Sequence, residues 1–139
     1  MQQVHATIVD LDGQGVMLRG PSASGKSDLG LRLIDAGARL VADDRTDLTL
    51  SGDAVLATAP KELAGRMEVR GIGIVAVAAV ADTRLVLVVD LVDVGDMQRL
   101  PEPETVDVLG VTLPLVRLSA FEASAPAKVR TALKSYAQL

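Results

Sequence analysis

Short apolar runs bounded by turn residues dominate this chain, and they predict many strands and few helices. The runs are rich in Val and Leu, which favour strands. They predict strands over residues 4–11, 15–19, 39–42, 46–50, 54–57, 74–80 and 84–92, and a strand pair over 106–113 that is broken at Gly110. Because most of these runs follow one another without an intervening helix, much of the sheet should be antiparallel.

Helical spacing of apolar residues occurs in two places. Residues 28–36 carry four apolar side chains at helical spacing and end before Gly37, which predicts the first helix. Ser124 is expected to cap a final helix that has Val129, Leu133 and Tyr136 on one face. The predicted fold class is therefore α/β, with a mixed, largely antiparallel sheet around the first helix.

The segment between the second predicted strand and the first helix matches a P-loop, the motif G-x-x-x-x-G-K-S that wraps the phosphates of a nucleoside triphosphate. Its residues are Gly20, Pro21, Ser22, Ala23, Ser24, Gly25, Lys26 and Ser27. The glycines allow backbone N–H groups to point inward, the lysine can reach the terminal phosphates, and the serine hydroxyl can ligate Mg²⁺. The order strand, loop and helix is the context that this motif requires.

Composition narrows the class of protein. The chain has 139 residues with 49% hydrophobic content, and it shows no linker or repeat, so a single domain over 1–139 is predicted. A net charge of −4, one Phe, one Tyr and no Trp disfavour nucleic-acid binding. The absence of cysteine, of a signal peptide and of a long apolar run predicts a cytoplasmic protein without a membrane span.

Two carboxylates follow the short strand at 39–42 and are the leading candidates for chemistry beside the P-loop. Asp43 and Asp44 should point to opposite sides of the strand, so that one faces Mg²⁺ and the other an incoming hydroxyl. Phosphoryl transfer uses both functions, but the sequence leaves open which aspartate is the base. Asp90, at the end of another apolar run, is a competing metal ligand of the Walker B type.

Four segments together resemble the catalytic domain of bacterial HPr kinase/phosphorylase. They are His5, the P-loop, the run Leu40-Val41-Ala42-Asp43-Asp44-Arg45 and the run Glu68-Val69-Arg70-Gly71-Ile72-Gly73-Ile74. The resemblance extends from His5 to about Leu118 and leaves no room for the amino-terminal domain of the long forms. It therefore suggests a short, single-domain form, with a fold related to that of phosphoenolpyruvate carboxykinase.

The resemblance implies transfer of the γ-phosphoryl group of ATP, with Mg²⁺, to a serine of the phosphocarrier protein HPr. It implies that Asp44 accepts the serine proton with His5 next to it, and that Lys26 holds the transferred phosphate. Ser27 and Glu68 would position Mg²⁺, Asp43 would support the metal or its waters, and Arg99 would contact the phosphates from a mobile loop. A homo-oligomer, a hexamer in relatives, is also implied.

The same residues give weaker support to phosphorolysis and to three other classes of nucleotide-binding protein. The long forms carry a P-G-R-N-type segment for phosphorolysis of seryl-phosphate, whereas this chain has Val116-Arg117-Leu118-Ser119-Ala120-Phe121-Glu122, so little or no phosphorolysis is expected. A GTPase is disfavoured because the chain has no Asn for a guanine-reading N-K-x-D motif. A small-metabolite kinase and a non-catalytic ATP-sensing regulator are the alternative functions.

Overall fold

The computed structural model describes residues 1–136, which form eleven strands and two α-helices. The helices are α1 (Lys26–Asp35) and α2 (Ala125–Ser135). The strands are β1 (Gln2–Val4), β2 (Thr7–Leu11), β3 (Gln14–Arg19), β4 (Arg39–Ala42), β5 (Thr46–Ser51), β6 (Ala54–Thr58), β7 (Arg66–Val69), β8 (Gly73–Ala76), β9 (Asp82–Leu91), β10 (Glu104–Val108) and β11 (Val111–Leu118). No helix in this described range is both long and apolar enough to cross a membrane.

The long strand β9 organises the main sheet, whose path runs β1-β5-β6-β9-β3-β2-β4. One edge of β9 pairs in parallel with β3. Its other edge pairs with β6 near the start of the strand, antiparallel, and with β11 near its end, in parallel. All other pairings between two named strands of the described range are antiparallel, which confirms the predicted mixed, largely antiparallel sheet.

Two apolar layers cover the sheet, because neighbouring residues of a strand face opposite sides. Val16 and Leu18 of β3 belong to the layer beneath α1 and α2, which also contains Leu33 and Val129. Met17, which lies between them in β3, belongs to the opposite layer. Both helices thus pack on one face of the sheet, and the P-loop lies at the amino end of α1.

The predicted single strand over 4–11 is wrong, since it is divided at His5 and Ala6. The segment before the break pairs with β5, and the segment after it pairs with β3 and β4. Two hydrogen bonds to the backbone of Ala6 fix the break: the Ala6 N–H donates to the Asp44 carbonyl at 3.1 Å, and the Thr46 hydroxyl donates to the Ala6 carbonyl at 3.0 Å. Apolar patterning could not locate the break, because a strand can change partners without a change in hydrophobicity.

The predicted strand over 74–80 is also wrong in extent and position. Only Gly73–Ala76 is a strand, and it pairs solely with β7 in a small exposed hairpin that the sequence analysis missed. Ile74 is 72% exposed there, so its apolar character does not reflect burial. The following residues reach the main sheet through backbone bonds: Leu40 N–H donates to Ala78, and Val80 N–H donates to Leu40.

The element ends differ by small shifts. Helix α1 begins at Lys26, two residues earlier than predicted, because Gly25 adopts a left-handed conformation with φ 94° just before it. Ser124 precedes α2 but makes no side-chain cap, and Tyr136 is 37% exposed rather than buried with Val129. Strand β11 continues to Leu118, where it borders β9.

Candidate functional site

The P-loop leaves the carboxyl end of β3 and turns into the amino end of α1. Inside the loop the Ser24 N–H donates to the Pro21 carbonyl at 3.1 Å, and Ala23 has φ 65°. Gly25 combines φ 94° with close packing, since a Cβ built on it would lie 2.7 Å from the Ala120 Cβ. Any other residue at this position would face both backbone strain and a steric clash.

The amino end of α1 supplies an anion-binding surface. The N–H groups of Lys26, Ser27 and Asp28 have no carbonyl one turn earlier in the helix, and the helix dipole adds positive potential at this end. The Lys26 ammonium donates to the carbonyls of Gly20 at 2.7 Å and Pro21 at 3.2 Å. Both groups therefore present positive charge at the loop, as binding of phosphates requires.

Asp43 is held against the P-loop by two hydroxyl groups. Ser27 Oγ donates to Asp43 Oδ1 at 2.7 Å, and Thr7 Oγ1 donates to the same oxygen at 3.0 Å. The Asp43 side chain is half-buried. The serine of the P-loop and one of the two predicted carboxylates therefore lie in direct contact.

Asp44 has a different environment from its neighbour. It adopts φ 68°, its N–H donates to Thr7 Oγ1 at 3.4 Å, and its carbonyl accepts the Ala6 N–H. The residue is exposed, and its carboxylate takes no hydrogen bond from the described part of the chain. His5 is exposed as well and lies next to Ala6 in the chain, one residue from the backbone that Asp44 contacts.

Both aspartates and the lysine and serine of the P-loop line one cleft with a volume of about 680 Å³, whereas His5 is not among the lining residues. The P-loop and α1 form one wall, the two aspartates lie beside it, and the β7 segment Met67–Arg70 forms another wall, which places Glu68 in the cleft. Phe121, from the loop after β11, completes the lining. The cleft has the size of a small-molecule site, since such pockets typically enclose about 300–1,000 Å³.

Besides His5, two candidates from the sequence lie outside the lining of the cleft. Asp90 accepts two hydrogen bonds from the Arg19 guanidinium, at 2.7 and 3.1 Å, and is not among the residues that line the cleft. Arg99 lies in the exposed segment between β9 and β10, also outside the lining. The contact of Arg99 with phosphates stays a prediction. Asp90 forms an ion pair with Arg19.

Arg70 and Phe121 are cleft residues that the sequence analysis did not select as site residues. Arg70 belongs to the segment that carries the family resemblance, in which only Glu68 was given a role. Phe121 is the only Phe of the chain and stands in the segment that departs from the long forms. The only signal available in the sequence was the rarity of aromatic residues, since the chain has one Phe and one Tyr.

The oxygen ligands of the cleft fit Mg²⁺. Ser27 offers a hydroxyl, and Asp43 and Glu68 offer carboxylates that line the same space. Within residues 1–136 no cluster of three or more His, Cys, Asp or Glu could hold a metal by itself. Magnesium at a nucleotide site typically takes one or two carboxylates together with phosphate oxygens and waters, and Asp43 and Glu68 can supply the carboxylates.

Comparison with known proteins identifies the family. Residues 1–134 match the family described as HPr Serine kinase C-terminal domain. The HPr kinase/phosphorylase of Prosthecochloris aestuarii is 39% identical over 129 residues, covering 84% of this chain and 38% of that protein. The HPr kinase/phosphorylase of Burkholderia lata is 40% identical over 126 residues, covering 83% of this chain and 39% of that protein.

A solved structure agrees with the sequence relatives. The HPr(Ser) kinase/phosphatase from Coxiella burnetii superposes with a TM-score of 0.86 at 29% identity, covering 96% of this chain and 95% of that chain. The chain spans about 39% of the length of the curated relatives that it matches. It belongs to the HPr serine kinase C-terminal domain family, which confirms the resemblance seen in the sequence.

Proposed function

We propose that this chain is an ATP-dependent protein kinase that phosphorylates a serine of an HPr-type phosphocarrier protein. Family membership supports the reaction class, and relatives named HPr kinase/phosphorylase support the acceptor. The observation that carries the proposal is the cleft in which the P-loop lysine and serine meet the Asp43–Asp44 pair. Phosphate-binding groups and a free carboxylate thus face the same space.

The phosphate end of ATP would bind at the amino end of α1. The loop N–H groups and Lys26 would hold the β- and γ-phosphates and offset the charge that develops on them. Lys26 would exchange its loop carbonyls for phosphate oxygens, which requires only a rotation of its side chain. Ser27, Asp43 and Glu68 would hold Mg²⁺, which when bound neutralises part of the phosphate charge.

Asp44 is the residue that we assign as proton acceptor. Its carboxylate lies in the cleft without a hydrogen-bond donor from the described residues, whereas Asp43 is bound by Ser27 and Thr7. In the reaction the acceptor serine oxygen would bond to the γ-phosphorus, the bond from that phosphorus to the β–γ bridging oxygen would break, and ADP would leave. The serine proton would pass to Asp44, with His5 next to it.

The forward reaction is expected to predominate. The segment at 116–122, which replaces the P-G-R-N-type segment of the long forms, ends strand β11 and turns into the loop that carries Phe121. Phosphorolysis of the phosphoserine product by inorganic phosphate should therefore be slow or absent. We also propose, from the family resemblance, that the protein forms a homo-oligomer, a hexamer, which light scattering coupled to gel filtration would measure.

The decisive experiment is incubation with γ-labelled ATP, Mg²⁺ and an HPr-type protein, followed by mass spectrometry of the acceptor. Label on one serine of the acceptor, lost when that serine is replaced by alanine, is the expected result. Label on a small metabolite in place of the protein would support a metabolite kinase instead. Tight ATP binding without transfer to either acceptor would support an ATP-sensing regulator.

A further inference from the structure

Phe121 stands out among the side chains of the cleft because it is aromatic and uncovered. It is the only Phe of the chain, and it is 68% exposed although it lines the same space as the P-loop. Its ring lies against the loop itself: a Cβ built on Gly25 would lie 3.2 Å from two carbons of the ring edge. The proposed phosphate and acceptor chemistry gives this ring no role.

The segment around Phe121 is anchored to the helix of the P-loop. The Arg32 guanidinium, from α1, donates to the carbonyl of Glu122 at 3.1 Å and also to that of Ala120. The Lys128 ammonium binds the Glu122 carboxylate at 2.7 Å, and Ala120 is fully buried. The backbone on both sides of Phe121 is therefore held next to the P-loop before any ligand binds, which reduces the entropy lost on binding.

The topology places the Phe121 ring at the edge of the sheet along which a nucleotide bound to the P-loop would extend. Strands β3, β9 and β11 are neighbours and run parallel, so their carboxyl ends meet at one edge of the sheet. The P-loop follows β3 and Phe121 follows β11, two strands away. Ligands of α/β sheets bind at such carboxyl ends. A nucleotide whose phosphates lie on the P-loop can reach Phe121 with its base inside the cleft of about 680 Å³.

We propose that Phe121 forms the base-binding wall of the site and stacks on the base of the nucleotide. The inference rests on the proposed function, in which the cleft binds ATP. Stacking of a base on an aromatic ring contributes about 1–3 kcal/mol by alanine substitution, which corresponds to roughly 5- to 150-fold in affinity. Phe121 thus sets the affinity for the nucleoside part, while the P-loop sets the affinity for the phosphates.

The test compares two ligands that share the phosphates but not the base. Binding of ATP and of inorganic tripolyphosphate, each with Mg²⁺, is measured by calorimetry for the wild-type chain, Phe121→Ala and Leu50→Ala. Leu50 is 49% exposed in β5 and lies outside the cleft, so its truncation controls for loss of an exposed apolar side chain. Phe121→Ala should weaken ATP roughly 5- to 150-fold and leave tripolyphosphate unchanged, and Leu50→Ala should change neither.

A second variant gives a direct signal. The chain has no Trp, so Phe121→Trp introduces a single Trp at the proposed contact, and its emission can be followed separately from that of the one Tyr. ATP should quench or shift its emission, whereas tripolyphosphate should not. Unchanged ATP affinity in Phe121→Ala, or equal weakening of both ligands, would overturn the inference while leaving the kinase proposal standing. If the wild-type chain bound neither ligand, the proposed function would fall, and this inference with it.

Discussion

Replacement of Asp44 by Asn tests the proposed chemistry without disturbing the fold. Asp44 has φ 68°, a left-handed conformation that Asn adopts more readily than most residues. Its backbone contacts, from Ala6 and to Thr7, do not involve the side chain. Because the residue is exposed, the change in the free energy of unfolding should stay within about 0.5 kcal/mol.

Asp44→Asn should lower the rate of phosphoryl transfer and leave ATP binding unchanged. Asn cannot accept the serine proton, and loss of a general base costs on the order of 100- to 10,000-fold in rate. At 1.36 kcal/mol per factor of ten, this is about 2.7 to 5.4 kcal/mol of transition-state stabilisation. Affinity for ATP should be retained, because the P-loop and Lys26 supply the phosphate contacts. Single-turnover transfer to an HPr-type protein measures the rate, and calorimetry measures the affinity.

Asp12→Asn is a matched control for this variant. Asp12 is also exposed and left-handed, with φ 53°, but it lies in the β2–β3 turn and does not line the cleft. The same chemical change at this position should leave transfer intact. If Asp44→Asn kept the wild-type transfer rate, Asp44 would not be the base, and the assignment of roles to the aspartate pair would be refuted.

Four further results are expected from the same structure. Lys26→Ala should weaken ATP binding in calorimetry and slow transfer as well, and normal affinity would contradict the proposed phosphate contact. Gly25→Ala should abolish nucleotide binding, because its Cβ would lie 2.7 Å from Ala120 at φ 94°, and a variant that bound ATP normally would show that the loop can relax. Asp90→Asn should lower the free energy of unfolding in urea titrations by about 1 to 3 kcal/mol, because it weakens the ion pair with Arg19. ATP affinity should be retained in this variant, and its loss would show that Asp90 is a metal ligand after all. Phosphate added to phosphoserine HPr should release little pyrophosphate, and efficient release would show that the P-G-R-N-type segment is dispensable.

The sequence predicted the parts of the fold that depend on local patterns. The P-loop, the strand that enters it and both helices were predicted because glycine spacing and apolar periodicity are local signals. The neighbourhood of Ser27 and Asp43 was predicted through the family resemblance, and the structure brings them to 2.7 Å. Their contact joins residues from two separate elements, which periodicity alone does not encode.

The remaining differences arise from tertiary pairing. Ile74 was predicted to begin a strand over 74–80, yet it is 72% exposed because the β7–β8 hairpin pairs only with itself. The break at His5 likewise depends on which strand each half pairs with. Phe121 reaches the P-loop from the far end of the chain, about one hundred residues later, because β9 and β11 run parallel beside β3. None of these relations changes the hydrophobicity of the residues involved.

The adjacent aspartates obtain distinct environments from one change of backbone direction. Asp43 directly follows β4, where the Ser27 and Thr7 hydroxyls both donate to its Oδ1. The left-handed turn at Asp44 then redirects the chain, and the next carboxylate receives neither hydroxyl. A carboxylate bound by hydroxyls is suited to a metal and its waters, whereas an unbound one can take a proton. Two identical side chains at consecutive positions can therefore serve the two functions that phosphoryl transfer needs, because Thr7 and Ser27 both donate to Asp43 and neither donates to Asp44.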